Sequence, residues 1–163
     1  MSPGSLPGEP WILLVEDTPE DRELAVHALR RGDVRARIEE AKDGVEAIDR
    51  LYCRGAWAHR DPEDLPRAVL LDIKMPRVDG VEVLRELKSS PRLSQVPVVM
   101  LTSSAEDTDL STCYALGANS YIVKPVEIET FFQTMLDLGR YWLIINRSPQ
   151  EKRYGVALTT VDR

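Results

Sequence analysis

The sequence predicts an α/β class domain, a doubly wound five-stranded parallel sheet covered by helices. Three observations predict it. Several apolar runs, Trp11 to Val15, Val69 to Leu71 and Pro97 to Leu101, are continuous rather than alternating, as in strands buried on both faces. The segments between them carry helical periodicity with start and stop signals. Strand-like and helix-like segments alternate five times along the chain, the order of a parallel sheet.

Each element has a local reason. Trp11-Ile-Leu-Leu-Val15 is a first strand that ends in Glu16-Asp17. Thr18-Pro19-Glu20-Asp21 is a helix start, with Thr as N-cap, Pro at the first helical position and acids in the first turn. That helix runs to about Arg31, where Gly32 stops it. Residues 34–41, VRARIEEA, alternate loosely and predict a second strand. Asp43-Gly44 breaks it, and a helix from Val45 to about Arg54 places Val45, Ile48, Leu51 and Tyr52 on one side. GAWAHRDPEDLPRA follows, a polar loop long for a link between packed elements. Val69 to Asp72 is the third strand, and Gly80 to about Ser89 a helix with Val83, Leu84 and Leu87 inward. The fourth strand, from Pro97 to Leu101, ends in Thr102-Ser103-Ser104. A helix from about Asp107 to Ala115 stops at Gly117. Ser120 to Val123 is the fifth strand, ending in Lys124-Pro125, and a last helix begins near Glu127.

The bulk figures bound the partners. A chain of 163 residues fits one domain with some tail to spare. With a net charge of −6 and no basic stripe, no nucleic-acid partner is expected. No apolar run approaches a membrane span, so no membrane partner is expected. Cys53 and Cys113 fit neither a disulfide framework nor a metal spacing; each falls in a helical pattern and reads as an inert thiol in a reducing cytoplasm. Residues 1–10, MSPGSLPGEP, lack the basic region and apolar core of a signal peptide and read as a flexible lead-in. A cytoplasmic location is the expectation.

Four strands end in polar groups: Glu16-Asp17, Asp72, Thr102-Ser103 and Lys124. In a doubly wound sheet the C-terminal strand ends open on one edge, where ligands bind at the reversal of strand order. Three carboxylates gathered there repel unless a cation joins them. Mg²⁺ (with Mn²⁺ as a substitute) suits such a set, because it takes a few carboxylates, keeps waters and accepts a phosphate oxygen. A carboxylate kept ionised beside it can attack phosphorus, with the metal, a Lys and a hydroxyl around the phosphoryl oxygens.

These residues resemble the receiver domain of two-component response regulators. The matching pieces are Glu16-Asp17, the run Asp72-x-x-Met75-Pro76-x-x-Asp79-Gly80, Thr102, and Lys124-Pro125, over about residues 11–138. The resemblance implies a flavodoxin-like (βα)5 fold and a phosphoacceptor at Asp72, loaded by a histidine kinase. It implies a metal held by Asp17 and Asp72, by Glu16 through a water and by the backbone carbonyl of Lys74. Thr102 and Lys124 would bind the phosphoryl group, Tyr121 would turn inward as Thr102 moves, and the peptide bond before Pro125 would be cis. Asp79-Gly80 reads as a turn and helix start.

Past Leu138 about 25 residues remain, too few for a DNA-binding module. Ile128, Phe131, Met135, Leu138, Trp142 and Ile145 recur at helical spacing, and Phe132, Leu136 and Leu143 form a second stripe. The second stripe either packs back on its own domain or makes a homodimer through the last helix and the C-terminal extension, residues 139–163. The loop at 55–67 and the stretch RYWLIINRSP resemble the small stand-alone regulators that partner bacterial phytochrome kinases. Two rivals remain. A scaffold that is never phosphorylated would be expected to have lost an acid or the Lys. An aspartyl-phosphate phosphohydrolase would carry a second Asp two residues past the first, where this chain has Lys74.

Overall fold

A computed structural model describes residues 8–32, 35–103 and 107–149. The lead-in through residue 7, Val34, Ser104 and the extension from residue 150 lie outside the described residues. Along the chain come β1 (Trp11–Val15), α1 (Pro19–Arg30), β2 (Arg37–Ala41), α2 (Gly44–Leu51), β3 (Ala68–Asp72), α3 (Gly80–Ser89), β4 (Val98–Thr102), α4 (Asp107–Ala115), β5 (Ser120–Val123) and α5 (Ile128–Arg140). The strands are all parallel, in the order β2-β1-β3-β4-β5. The doubly wound, flavodoxin-like (βα)5 fold is therefore present.

The continuous apolar runs serve two cores. Successive side chains of a strand point to opposite faces. Leu13, Val15, Val69, Leu71, Val98 and Met100 pack with α2, α3 and α4 through Leu51, Leu84, Leu87 and Cys113. Ile12, Leu14, Leu70, Val99 and Leu101 pack on the other face with α1 and α5 through Val26, Leu29, Phe131 and Met135. All five residues of β1, β3 and β4 are buried, which is why none of these strands alternates.

Some expected boundaries and faces move. The second strand starts at Arg37 because Trp11, the first residue of β1, is its partner there. Thr18 does not cap α1 with its side chain, and its backbone N–H donates to Glu16 Oε1 at 3.2 Å. The second helix stops at Leu51, because Cys53 turns left-handed at φ 55, so Cys53 is not helical. Val45 faces outward at 38% exposed, and Gly44, Ala47 and Leu51 form the buried side of α2. Asp43 and Asp79 do cap their helices, accepting from Glu46 N and Glu82 N at 2.8 and 2.9 Å.

The long polar loop is tied down. Arg60 and Arg50 both reach Glu39, at 2.5 and 2.8 Å. Arg92 donates to the carbonyls of Pro62 and Leu51. Trp11 donates to Asp64 at 3.1 Å, with Arg37 and Arg60 each 5.1 Å from its ring.

At the other end of the chain, α5 runs through Gly139 into a π-helical turn, Tyr141–Ile145, closed by Asn146 N–H on Tyr141 O at 2.7 Å. Gly139 does not interrupt the helix. It permits close approach, because a Cβ there would stand 3.3 Å from Leu29 Cδ2 of α1. Phe131, Met135, Leu138 and Trp142 are buried as the first stripe predicts. Its ends are not, with Ile128 at 69% and Ile145 at 60% exposed. Of the second stripe, Leu143 is buried and Phe132 is half-buried with its ring 5.8 Å from that of His27, so these two pack on their own domain.

Candidate functional site

The strand order places the ends of β1 and β3 side by side, with α1 leaving to one face of the sheet and α3 to the other. That divergence opens the crevice expected at such a switch point. Asp72, the last residue of β3, and Glu16, the first after β1, are buried at 6% and 3% exposed, and Asp17 is half-buried. One carboxylate oxygen from each lies within 4.8 Å of the others.

Local structure fixes these positions. The N–H of Glu16 continues the sheet onto Ala41 O at 3.1 Å, and Arg22 of α1 donates to Glu16 O at 2.8 Å. Behind Asp72 stands Gly80, whose N–H bonds Ile73 O at 2.8 Å. A Cβ on Gly80 would fall 2.1 Å from Asp72 O, so only glycine lets α3 begin there. The pair Asp79-Gly80 thus caps a helix and admits it against the strand that carries the acid.

Lys124 follows β5 and reaches the carboxylates. Its Nζ is 2.5 Å from Glu16 Oε2, 3.5 Å from Asp72 Oδ2 and 3.6 Å from Asp21 Oδ2. Glu16, rather than Asp72, is the nearest carboxylate to Lys124. The backbone N–H of Lys124 bonds Thr102 O at 2.7 Å, which joins the ends of β4 and β5. Burial works against the Lys124 ammonium, but the bond to Glu16 and the charges of Asp72, Glu16 and Asp21 outweigh it, and its pKa stands above the usual lysine value. For Asp72 the balance goes the other way. Burial, then the charge of Glu16, push its pKa up to about 7, against the pull of Lys124.

Thr102 ends β4, fully buried. Tyr121 is half-buried against the core on the α2–α4 face, paired in register with Met100. Lys74 is exposed on the loop after β3. Among the described residues no peptide bond is cis, so Lys124–Pro125 is trans, against expectation. The trans preference at proline is small but real, and Lys124 reaches Glu16, Asp72 and Asp21 without the cis form.

The donor set fits a hard divalent cation. Three carboxylates stand together with one half-buried ammonium against two of them, leaving local negative charge that an oxygen-seeking ion neutralises. The model of the response regulator receiver domain matches residues 12–136. The chain belongs to that family.

Receiver domains of this family are signalling proteins. The receiver is 44% identical over 138 residues to the probable methanogenesis regulatory protein FilR2 of Methanothrix harundinacea, covering 85% of this chain and 86% of that one. It is 33% identical to the response regulator Rcp1 of Synechocystis, covering 81% and 88%. The crystal structure of the Mn²⁺-bound form of Rcp1 superposes with a TM-score of 0.80, covering 86% and 99% of the two chains at 31% identity. The structure of the bacteriophytochrome response regulator AtBRR is 47% identical, covers 86% and 100%, and gives a TM-score of 0.67.

The structure also brings in residues that the sequence reading passed over. Asp21 was read only as a first-turn acid, yet it touches Lys124. Its place was the only signal, in the first turn of the helix that follows Glu16-Asp17. Arg22, which bonds the carbonyl of Glu16 and pairs with Glu40 at 3.6 Å, had no sequence signal of its own. The loop after β3 is braced as well: Arg77, left-handed at φ 66, pairs with Asp43 at 2.9 Å.

Proposed function

We propose that this receiver accepts a phosphoryl group on Asp72 from the phosphohistidine of a histidine kinase, with Mg²⁺ or Mn²⁺ as cofactor, and signals through protein contacts. The observation that carries the reading is the cluster itself, three carboxylates within 4.8 Å at adjoining strand ends with Lys124 3.5 Å from Asp72. Asp17 and Asp72 would hold the cation directly, Glu16 through a water, and Lys74 by its backbone carbonyl. Bound there, the cation neutralises charge on the acids and on the incoming phosphoryl oxygens.

The remaining chemistry belongs to the chain. Asp72 attacks phosphorus as a carboxylate, so its ionised form is the reactive one. Lys124 moves from Glu16 toward the new phosphoryl oxygens, and the Thr102 hydroxyl bonds another. Thr102 and Tyr121 lie on neighbouring strands, and movement of the first vacates space for the second. The changed surface lies around α4 and β5. Neither an acid nor the Lys is missing, since Glu16, Asp17, Asp72 and Lys124 are all present, which disfavours a never-phosphorylated scaffold. Lys74, where a phosphohydrolase would carry its second acid, disfavours that enzyme.

The likeness to the bacteriophytochrome response regulator AtBRR supports a phytochrome-type kinase as the donor, in a cytoplasmic pathway. A homodimer through α5 and the extension is part of the same reading. It is supported by exposed Tyr141, Ile144 and Ile145 beyond the end of α5. The test is transfer of labelled phosphate from an autophosphorylated bacteriophytochrome kinase to the wild-type chain and to Asp72→Asn. Transfer to wild type alone supports the reading. Labelling of both proteins removes Asp72 as acceptor, and labelling of neither, with a kinase that loads its own regulator, removes the phytochrome assignment.

A further inference from the structure

Lys124 is shared by three carboxylates, and they are not equivalent. Glu16 and Asp72 belong to the cation-holding set and are buried. Asp21 belongs to α1, stands outside that set and is 46% exposed, while the Lys124 side chain beside it is 12% exposed. The contact of 3.6 Å therefore lies on the solvent side of the ammonium. A cation held by Asp17 and Asp72, with Glu16 through a water, would offset the charge of those acids and leave the Asp21 carboxylate outside the set. Glu20, also exposed, adds to the same turn of α1.

We infer that Asp21 is a specificity-determining residue for the phosphodonor: its carboxylate, resting on Lys124 at the entrance, disfavours small anionic donors. The inference rests on Asp72 being a phosphoacceptor. In the reaction at issue an Asp72 oxygen bonds to the phosphorus of an acyl phosphate or phosphoramidate. The bond from phosphorus to the leaving oxygen or nitrogen breaks, and its electron pair departs with acetate or with ammonia, the latter already carrying its proton. No redox partner is needed. A free donor must bring its whole charge past Asp21, whereas a protein donor has its docking surface to offset that repulsion. Asp21 also draws the Lys124 ammonium outward, so the same carboxylate weakens the pull on the incoming oxygens.

The effect scales with the charge of the donor, which a merely structural role does not. The experiment uses the full chain with saturating Mg²⁺ and reads the rate of phosphoryl mass gain. The donors are acetyl phosphate, a dianion, and phosphoramidate, a monoanion, each at low and high salt. Asp21→Asn is expected to accelerate acetyl phosphate by about tenfold and phosphoramidate by about threefold at low ionic strength, as for one unit charge met at several ångströms in near-aqueous dielectric. High salt shrinks both gains. Asp21→Glu, which keeps the charge, is expected to behave as wild type.

Equal gains with both donors, gains indifferent to salt, or no gain overturn the inference, and so does an Asp21→Glu protein as fast as Asp21→Asn. A wild-type chain that gains no phosphoryl mass from either donor removes the acceptor reading beneath it. A wild-type chain that gains mass while Asp21→Asn matches it removes only the role of Asp21.

Discussion

At the scale of single residues, Asp72 carries the strongest statement. Its carboxyl sits at about 7 rather than the usual 3.8, because burial and Glu16 disfavour its charge. A carboxyl raised on folding leaves the folded state holding more protons than the unfolded chain between those two values. Stability therefore falls as pH climbs from about 4 to about 7, and the penalty is complete above. In chelator at pH 7.5, Asp72→Asn should melt above wild type by roughly 1–2 kcal/mol, about 3–6 °C. The gap should close as the pH approaches 4, and Mg²⁺ should raise the melting temperature of wild type far more than that of Asp72→Asn. Thermal melts with and without Mg²⁺ across that range check it; an Asp72→Asn protein less stable than wild type in chelator at every pH would contradict it. The identity of Asp72, Glu16, Asp17 and Lys124 was legible because Asp72, Lys124 and the pair Glu16-Asp17 each stand at the end of a strand-like run. Their pairing was not. The preference of Lys124 for Glu16 depends on side-chain reach across the sheet, which no spacing in the chain encodes.

At the scale of elements, the join of β3 to α3 governs the site. Gly80 lies under the carbonyl of Asp72, and any side chain there must push the strand end or the helix aside. Gly80→Ala should cost about 2–4 kcal/mol by overpacking and weaken Mg²⁺ binding in the molecules that remain folded. Denaturant unfolding and metal titration measure the two effects; a variant that melts and binds Mg²⁺ like wild type would sink this account. The motif showed that glycine was wanted, and turn chemistry seemed reason enough, but the close approach needs coordinates. Conversely, α2 was drawn too long from sequence, since its periodicity continues to Tyr52 while Cys53 leaves the helical region. Thr18 looked like a cap by residue type, yet its side chain accepts no N–H of α1. Periodicity found the core positions of α3 correctly because all three, Val83, Leu84 and Leu87, are enclosed by the sheet.

At the scale of the whole molecule, parallel order and double winding were readable from the continuous strands, since only burial on both faces permits such runs. The fate of the last helix was not. Both of its apolar stripes look alike in sequence, yet part of the second packs against α1 through Phe132 and Leu143. What stays exposed is Tyr141, Ile144 and Ile145, on a turn whose π-helical pitch takes Ile145 out of line with Trp142. If these residues make the homodimer, Ile145→Glu should shift the wild-type dimer to monomer in sedimentation over a concentration series, with the melting temperature little changed. A wild-type chain that sediments as a monomer throughout would retire the dimer. The acceptor role of Asp72 stands apart from that result, and one measurement tests it most directly. The full chain is incubated with a small phosphodonor and Mg²⁺, and its intact mass is recorded beside that of Asp72→Asn. The account predicts the gain of a single phosphoryl group by wild type, abolished by chelator and absent from Asp72→Asn; no gain, or a gain that survives the substitution, would contradict it.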